Sequence, residues 1–202
     1  MKTAVYVHGR GGSAAETAHY KALLPEYTVR GFDYRATTPM AAAKEFPAFF
    51  APLCEKTGPV LLIANSIGAY FAIHALGRKT VERAFLISPV TDMEKLILNM
   101  MAAENVSEAE LAARGEIPTA SGEPLSWEYL RYVRAHPLRW RVPTDILYGE
   151  NDALTDIETM AAFARETGAS LTVMPGGEHW FHTEEQMAFL DQWLKRGLTM
   201  ND

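Results

Sequence analysis

Short apolar runs alternate along the chain with longer stretches whose apolar residues recur at helical spacing. The runs fall at 3–7, 28–33, 60–65, 83–88, 145–148 and 170–174. Several are almost continuously apolar, the pattern of strands buried on both faces. Strands alternating with helices predict an α/β fold. The expected form is a three-layer sandwich, a mostly or all parallel six-stranded sheet with helices on both faces.

The helix boundaries are well marked. Ser13 with Glu16, Thr155 with Glu158 and Thr183 with Gln186 each fit a capping box. Thr38 before Pro39 fits a cap with proline at the first helical position. Gly77, Gly168 and Gly197 stand where helices are expected to stop. Pro47 predicts a kink or break in the helix that follows Thr38.

Residues 91–140 depart from the alternation, with helix signals but no strand. Thr91 with Glu94 and Ser107 with Glu110 read as further capping boxes, and 126–135 as another helix. Residues 116–124 read as a loop, since they hold Pro118, Gly122 and Pro124. The expected organisation is one domain, 1–202, with a helical insertion at 91–140. Such an insertion reads as a lid, or as a longer crossover packed on the sheet.

Composition narrows the function. A net charge of −6 and no basic run argue against nucleic acid as a partner. No stretch approaches the roughly 20 apolar residues of a membrane span, and the start, MKTAVYVHGRGG, is too short in apolar residues for a signal-peptide core. A cytoplasmic protein is expected. The one cysteine, Cys54, rules out an internal disulfide and reads as a buried, inert thiol.

Three pieces carry chemistry, each just after an expected strand, where ligands bind in open α/β sheets. The first is VLLIANSIGAY at 60–70: an apolar strand runs into Ser66 and a helical pattern begins at once. A nucleophile elbow needs this layout, with small residues two before and two after the serine. Gly68 meets that need, and Ala64 replaces the usual first glycine. A serine that merely caps the helix is the plainer alternative. The second piece is YGEND at 148–152, ending on Asp152, where a turn aspartate is the plainer alternative. The third is PGGEHWFH at 175–182, whose two glycines give the loop freedom to place His179 near Ser66.

The order Ser, Asp, His is that of the α/β-hydrolases. The chain resembles that family at VHGRGG (7–12), ANSIG (64–68), GEND (149–152) and GEH (177–179), over nearly its whole length. The chain starts at the family's third strand, so an all-parallel core without the antiparallel first hairpin is expected. The resemblance implies a serine esterase-like enzyme acting on a small or medium acyl substrate, possible bonds being ester, thioester or amide. It implies Ser66, His179 and Asp152 as catalytic residues, backbone N–H groups of Arg10 and Ile67 as the oxyanion hole, and no metal or organic cofactor. The Arg10 side chain is then free, and is expected to point into water.

Rivals stand beside these assignments. Asp92 follows another strand and competes for the acid role, although an acid is also favoured in a first helical turn. His182 competes for the base. His8 belongs to the oxyanion loop and reads as a structural hydrogen-bonder, while His19, His74 and His136 show no partner pattern. Met93, Ile97 and Met100 form part of a one-sided helical stripe that either packs on the body or lines an acyl pocket; Trp127 and Trp180 are further pocket candidates. Gly9, Gly11 and Ala14 also satisfy a dinucleotide-binding pattern, with Asp33 at the end of the second strand. That reading leaves Ser66, Asp152 and His179 unexplained. A hydrolase-like binding protein without chemistry is a third reading.

Overall fold

The computed structural model describes residues 2–120 and 122–199. Six parallel strands form its sheet: β1 (Lys2–Val7), β2 (Tyr27–Phe32), β3 (Val60–Asn65), β4 (Val81–Ile87), β7 (Thr144–Gly149) and β8 (Ser170–Met174). The order across the sheet is β2-β1-β3-β4-β7-β8. The strand order reverses beside β1 and β3, so the carboxyl ends of these strands flank a crevice.

Alternation along the strands divides the core in two. Ala4, Tyr6, Leu61, Ile63 and Phe85 face α1 (Thr17–Leu23) and α8 (Glu184–Thr199). Val5, Val7, Leu62, Ala64 and Leu86 face the other way, onto α2 (Pro39–Thr57), α3 (Ser66–Ala75) and α7 (Ile157–Thr167). Successive side chains point to opposite faces, so both faces of each central strand are covered. The result is the expected three-layer sandwich.

The insertion contains α4 (Met93–Ala103), α5 (Glu108–Arg114) and α6 (Trp127–Ala135). It also holds an antiparallel pair, β5 (Glu116–Ile117), at the start of the stretch the sequence reads as loop, and β6 (Leu125–Ser126), just beyond its end and reaching the first residue of the expected helix. Two residues per strand are too few for alternation to register as a pattern. Met93, Ile97, Leu111, Leu130 and Trp140 join the same buried cluster as the sheet.

Several boundaries differ from the sequence reading. Asp92, not Thr91, caps α4, and Asp156, not Thr155, caps α7. An aspartate one position later supplies both a cap acceptor and a charge favoured by the helix dipole. Pro47 and Pro52 lie inside α2 without breaking it. Ala42, Phe46 and Phe50 bury that helix against the core, and tertiary packing, not propensity, sets helix stability. Gly197 does not stop α8. It lies inside the helix, where a Cβ would come within 2.5 Å of the Phe85 ring. Cys54 is half-buried, with Sγ 3.5 Å from the Thr80 carbonyl, and burial pushes its thiol up.

Candidate active site

The strand β3 passes directly into α3 at Ser66, whose φ of +50° lies in the left-handed region. A non-glycine residue there is strained, and such strain concentrates at functional sites. Close approach explains Gly68: a Cβ there would stand 2.1 Å from the His8 carbonyl oxygen. The start of α3 therefore packs directly on the loop after β1. Ala64 is fully buried, so a small side chain is tolerated where glycine is usual.

Two further loops meet Ser66 from far along the chain. Ser66 Oγ lies 2.8 Å from His179 Nε2, and His179 Nδ1 lies 2.7 Å from Asp152 Oδ2. Asp152 is an acceptor only, so Nδ1 carries the ring proton and Nε2 faces the serine hydroxyl as an acceptor. The two partner loops hold each other: Asn151 N–H donates to the Gly177 carbonyl at 2.7 Å, and Glu150 N–H to Met174 at 3.0 Å. Asp152 Oδ1 also accepts from the N–H groups of Leu154 (2.8 Å) and Thr155 (3.0 Å), and Oδ2 from the Thr155 hydroxyl (3.1 Å).

This network decides the state of the carboxyl. Burial, the largest single influence, pushes Asp152 up. The hydrogen bond and charge of His179, with the N–H groups of Thr155 and Leu154, together hold it below the usual carboxylate range. Asp152 is therefore an anion in neutral solution. Thr155, which its sequence pattern marks as a helix cap, serves here as a donor to Asp152. A polar residue three positions after an aspartate suits either use.

The rivals are engaged elsewhere. Asp92 is exposed and accepts from Lys95 N–H at 2.9 Å as the cap of α4. His182 Nδ1 lies 2.8 Å from the Trp180 carbonyl, and its ring stacks on Trp180 at 4.7 Å. Partners invisible in the sequence occupy two other histidines: His19 lies 2.7 Å from Asp191, and His74 lies 3.1 Å from the Tyr132 hydroxyl.

The loop after β1 lies against Ser66, since a Cβ at Gly9 would stand 3.1 Å from the Ser66 Cβ. Ile67 follows Ser66 in the chain, and Arg10 follows Gly9 in the loop that meets it. The Arg10 side chain does not simply point into water. It pairs with Glu123, between β5 and β6, and ties the insertion to this loop. The dinucleotide pattern at Gly9, Gly11 and Ala14 is occupied by the chain itself. Ser13 N–H donates to Glu16 Oε1 at 2.8 Å and Ala15 N–H to Ser13 Oγ at 3.3 Å, a capping box that uses these N–H groups within the chain.

The expected pocket residues separate. Met93 and Ile97 are buried in the core, and Met100 is half-buried against it. Trp127 lines a cleft of about 710 Å³ with Arg114, Arg131, Tyr132 and His136, which includes none of Ser66, Asp152 and His179. Trp180 is 67% exposed, directly after His179. Among the described residues, His8 Nε2, Asn65 Oδ1, Ser88 Oγ, Thr91 Oγ1 and Tyr129 Oη are buried without a hydrogen-bond partner. The first four lie at or just beyond the carboxyl ends of β1, β3 and β4, around the elbow. Uncompensated burial is costly, so these atoms suit a site that receives polar ligand atoms or water.

Known structures share this architecture. Alpha/beta hydrolase domain-containing protein 10 from mouse superposes with a TM-score of 0.75 at 14% identity, over 99% of this chain and 90% of that one. Est1E from Butyrivibrio proteoclasticus, solved with ferulic acid bound, gives 0.73 at 15%, over 98% and 89%. A thermophilic esterase from Thermogutta terrifontis gives 0.65 at 19%, over 99% and 90%. No curated protein sequence matches the chain. The sequence pattern of the serine hydrolase family matches residues 48–193, a stretch that takes in the elbow and both partner loops. Because that match spans most of its length, the chain belongs to the serine hydrolase family.

Proposed function

We propose that this hydrolase cleaves carboxylic esters of small or medium acyl groups by Ser-His-Asp catalysis through an acyl-enzyme. The observation that carries the reading is the unbroken relay from Ser66 through His179 to Asp152, at 2.8 and 2.7 Å, on a serine held at φ +50°.

His179 Nε2 takes the Ser66 proton as Oγ attacks the acyl carbon. Asp152 holds the imidazole tautomer and stabilises the imidazolium. The N–H groups of Arg10 and Ile67 receive the developing oxyanion, an interaction whose loss typically costs about 3–4 kcal/mol. His179 then protonates the leaving alcohol. Water resolves the acyl-enzyme by the same steps, with His179 again the base. Esterases among the similar structures, one with ferulic acid bound, favour a small acyl ester over an amide. We read residues 91–140, within a single domain 1–202, as a lid over this site; the Arg10–Glu123 pair, which links the insertion to the loop after β1, supports that reading.

The test is Ser66→Ala, assayed on p-nitrophenyl butyrate and by fluorophosphonate labelling. Both signals are expected to vanish. Undiminished labelling of the variant refutes the assignment.

A further inference from the structure

The loop after β1 is held by contacts that no motif accounts for. Tyr34, just beyond β2, donates its hydroxyl to the His8 carbonyl at 2.9 Å. Its ring stacks on the His8 imidazole, with centroids 4.5 Å apart and planes 14° from parallel. Tyr34 is itself fixed by Phe32, Phe46 and Phe71 at 5.3–5.9 Å. Both Tyr34 and His8 are buried.

The imidazole passes this constraint onward. His8 Nδ1 donates to the Gly9 carbonyl at 2.8 Å, and Gly12 N–H reaches the same oxygen at 3.2 Å. That carbonyl belongs to the same peptide unit as the Arg10 N–H. A trans peptide is planar, and its C=O and N–H point in opposite directions. Holding the Gly9 oxygen therefore aims the Arg10 N–H to the other side of the unit, and Gly9 abuts Ser66.

We propose that Tyr34 is a positioning residue for the oxyanion donor, acting through His8 on the Gly9–Arg10 peptide plane. The proposal rests on the reading of Ser66 as nucleophile and of the Arg10 N–H as oxyanion donor. Tyr34 acts through His8 and takes no part in the proton relay of Ser66, His179 and Asp152. It supplies preorganisation: the donor is aimed before charge develops, so no reorientation is needed in the transition state.

Tyr34→Phe keeps the ring stack and deletes the hydrogen bond. Its kcat per active site, titrated with a fluorophosphonate, is expected to fall about 10-fold on p-nitrophenyl butyrate, less than the ~100-fold that follows outright loss of an oxyanion donor. KM should stay within about two-fold, because the lost interaction matters only in the transition state. The inhibition constant of a trifluoromethyl ketone, which forms a tetrahedral adduct, should weaken by the same factor as kcat. An unchanged kcat per titrated site, or a fall in kcat without weaker ketone binding, overturns the proposal. A second pair of variants decides the case if Tyr34→Phe folds poorly. His8→Asn places an amide donor where Nδ1 stood and should retain more activity than His8→Ala; equal losses overturn the proposal. Persistent labelling of Ser66→Ala would instead refute the parent reading.

Discussion

Asp152 Oδ2 accepts two side-chain hydrogen bonds at once, from His179 Nδ1 at 2.7 Å and from the Thr155 hydroxyl at 3.1 Å. The second fixes the carboxylate plane, so the first has one geometry. A histidine 27 residues away is thereby held in the tautomer that leaves Nε2 free for Ser66.

Asp152→Asn should therefore be far more damaging than its small change in shape suggests. An amide nitrogen facing Nδ1 favours the wrong imidazole tautomer, a change that costs about 10,000-fold in kcat in a serine protease. A loss of that order is expected here on p-nitrophenyl butyrate. Asp92→Asn should leave kcat nearly unchanged, since the Asp92 carboxylate is engaged as the α4 cap. A large loss in Asp92→Asn with a mild one in Asp152→Asn would exchange the two roles.

The strands, their parallel order and the Ser, Asp, His sequence could be read from the chain because they rest on local pattern. β3 and β8 begin and end where the apolar runs do. Other features could not be read, because they depend on residues distant in sequence. Tyr34 carries no motif and gains its role only when β1 and β2 pair. His19 meets Asp191 across 172 residues. The methionine stripe of α4 was legible as one-sided, but its direction was not: Met93 and Ile97 turned to the core, not to a pocket. Thr155 shows a third limit, since the signals for a helix cap and for a carboxylate partner are the same.

Acid should weaken the junction of α4 and α7 within a definite window. Asp156 accepts from Lys95 Nζ at 2.7 Å and from Thr159 N–H at 2.9 Å. The Lys95 hydrogen bond first, then the Thr159 N–H, lowers its carboxyl from 3.8 to about 2. A depressed folded-state value means the contribution is fully present above the unfolded value of 3.8 and is lost as pH falls through about 2. Asp156→Asn retains a capping oxygen but removes this titration. Urea midpoints measured from pH 5 to 2.5 should fall less steeply in the variant than in the parent. Parallel slopes would show that the Lys95 pair contributes no linkage.

Gly197→Ala should destabilise the protein, against the usual rule for helices. In an open helix position alanine is favoured over glycine by about 1 kcal/mol. Here the new Cβ would sit 2.5 Å from Phe85 Cε1 and 3.0 Å from Cζ. Phe85 is fully buried in β4, and its ring meets Trp193 edge-on at 5.4 Å, so neither ring can yield without moving the other. Overpacking of this kind costs about 1–3 kcal/mol, which should exceed the helix gain. Gly77→Ala, in the loop after α3, controls for the clash and not for helix propensity: a Cβ there meets nothing within 4 Å, and no comparable loss of stability is expected. Urea unfolding of the two variants separates the effects. A Gly197→Ala protein more stable than the parent would mean that α8 can shift off β4, and that the Phe85 contact does not fix its position.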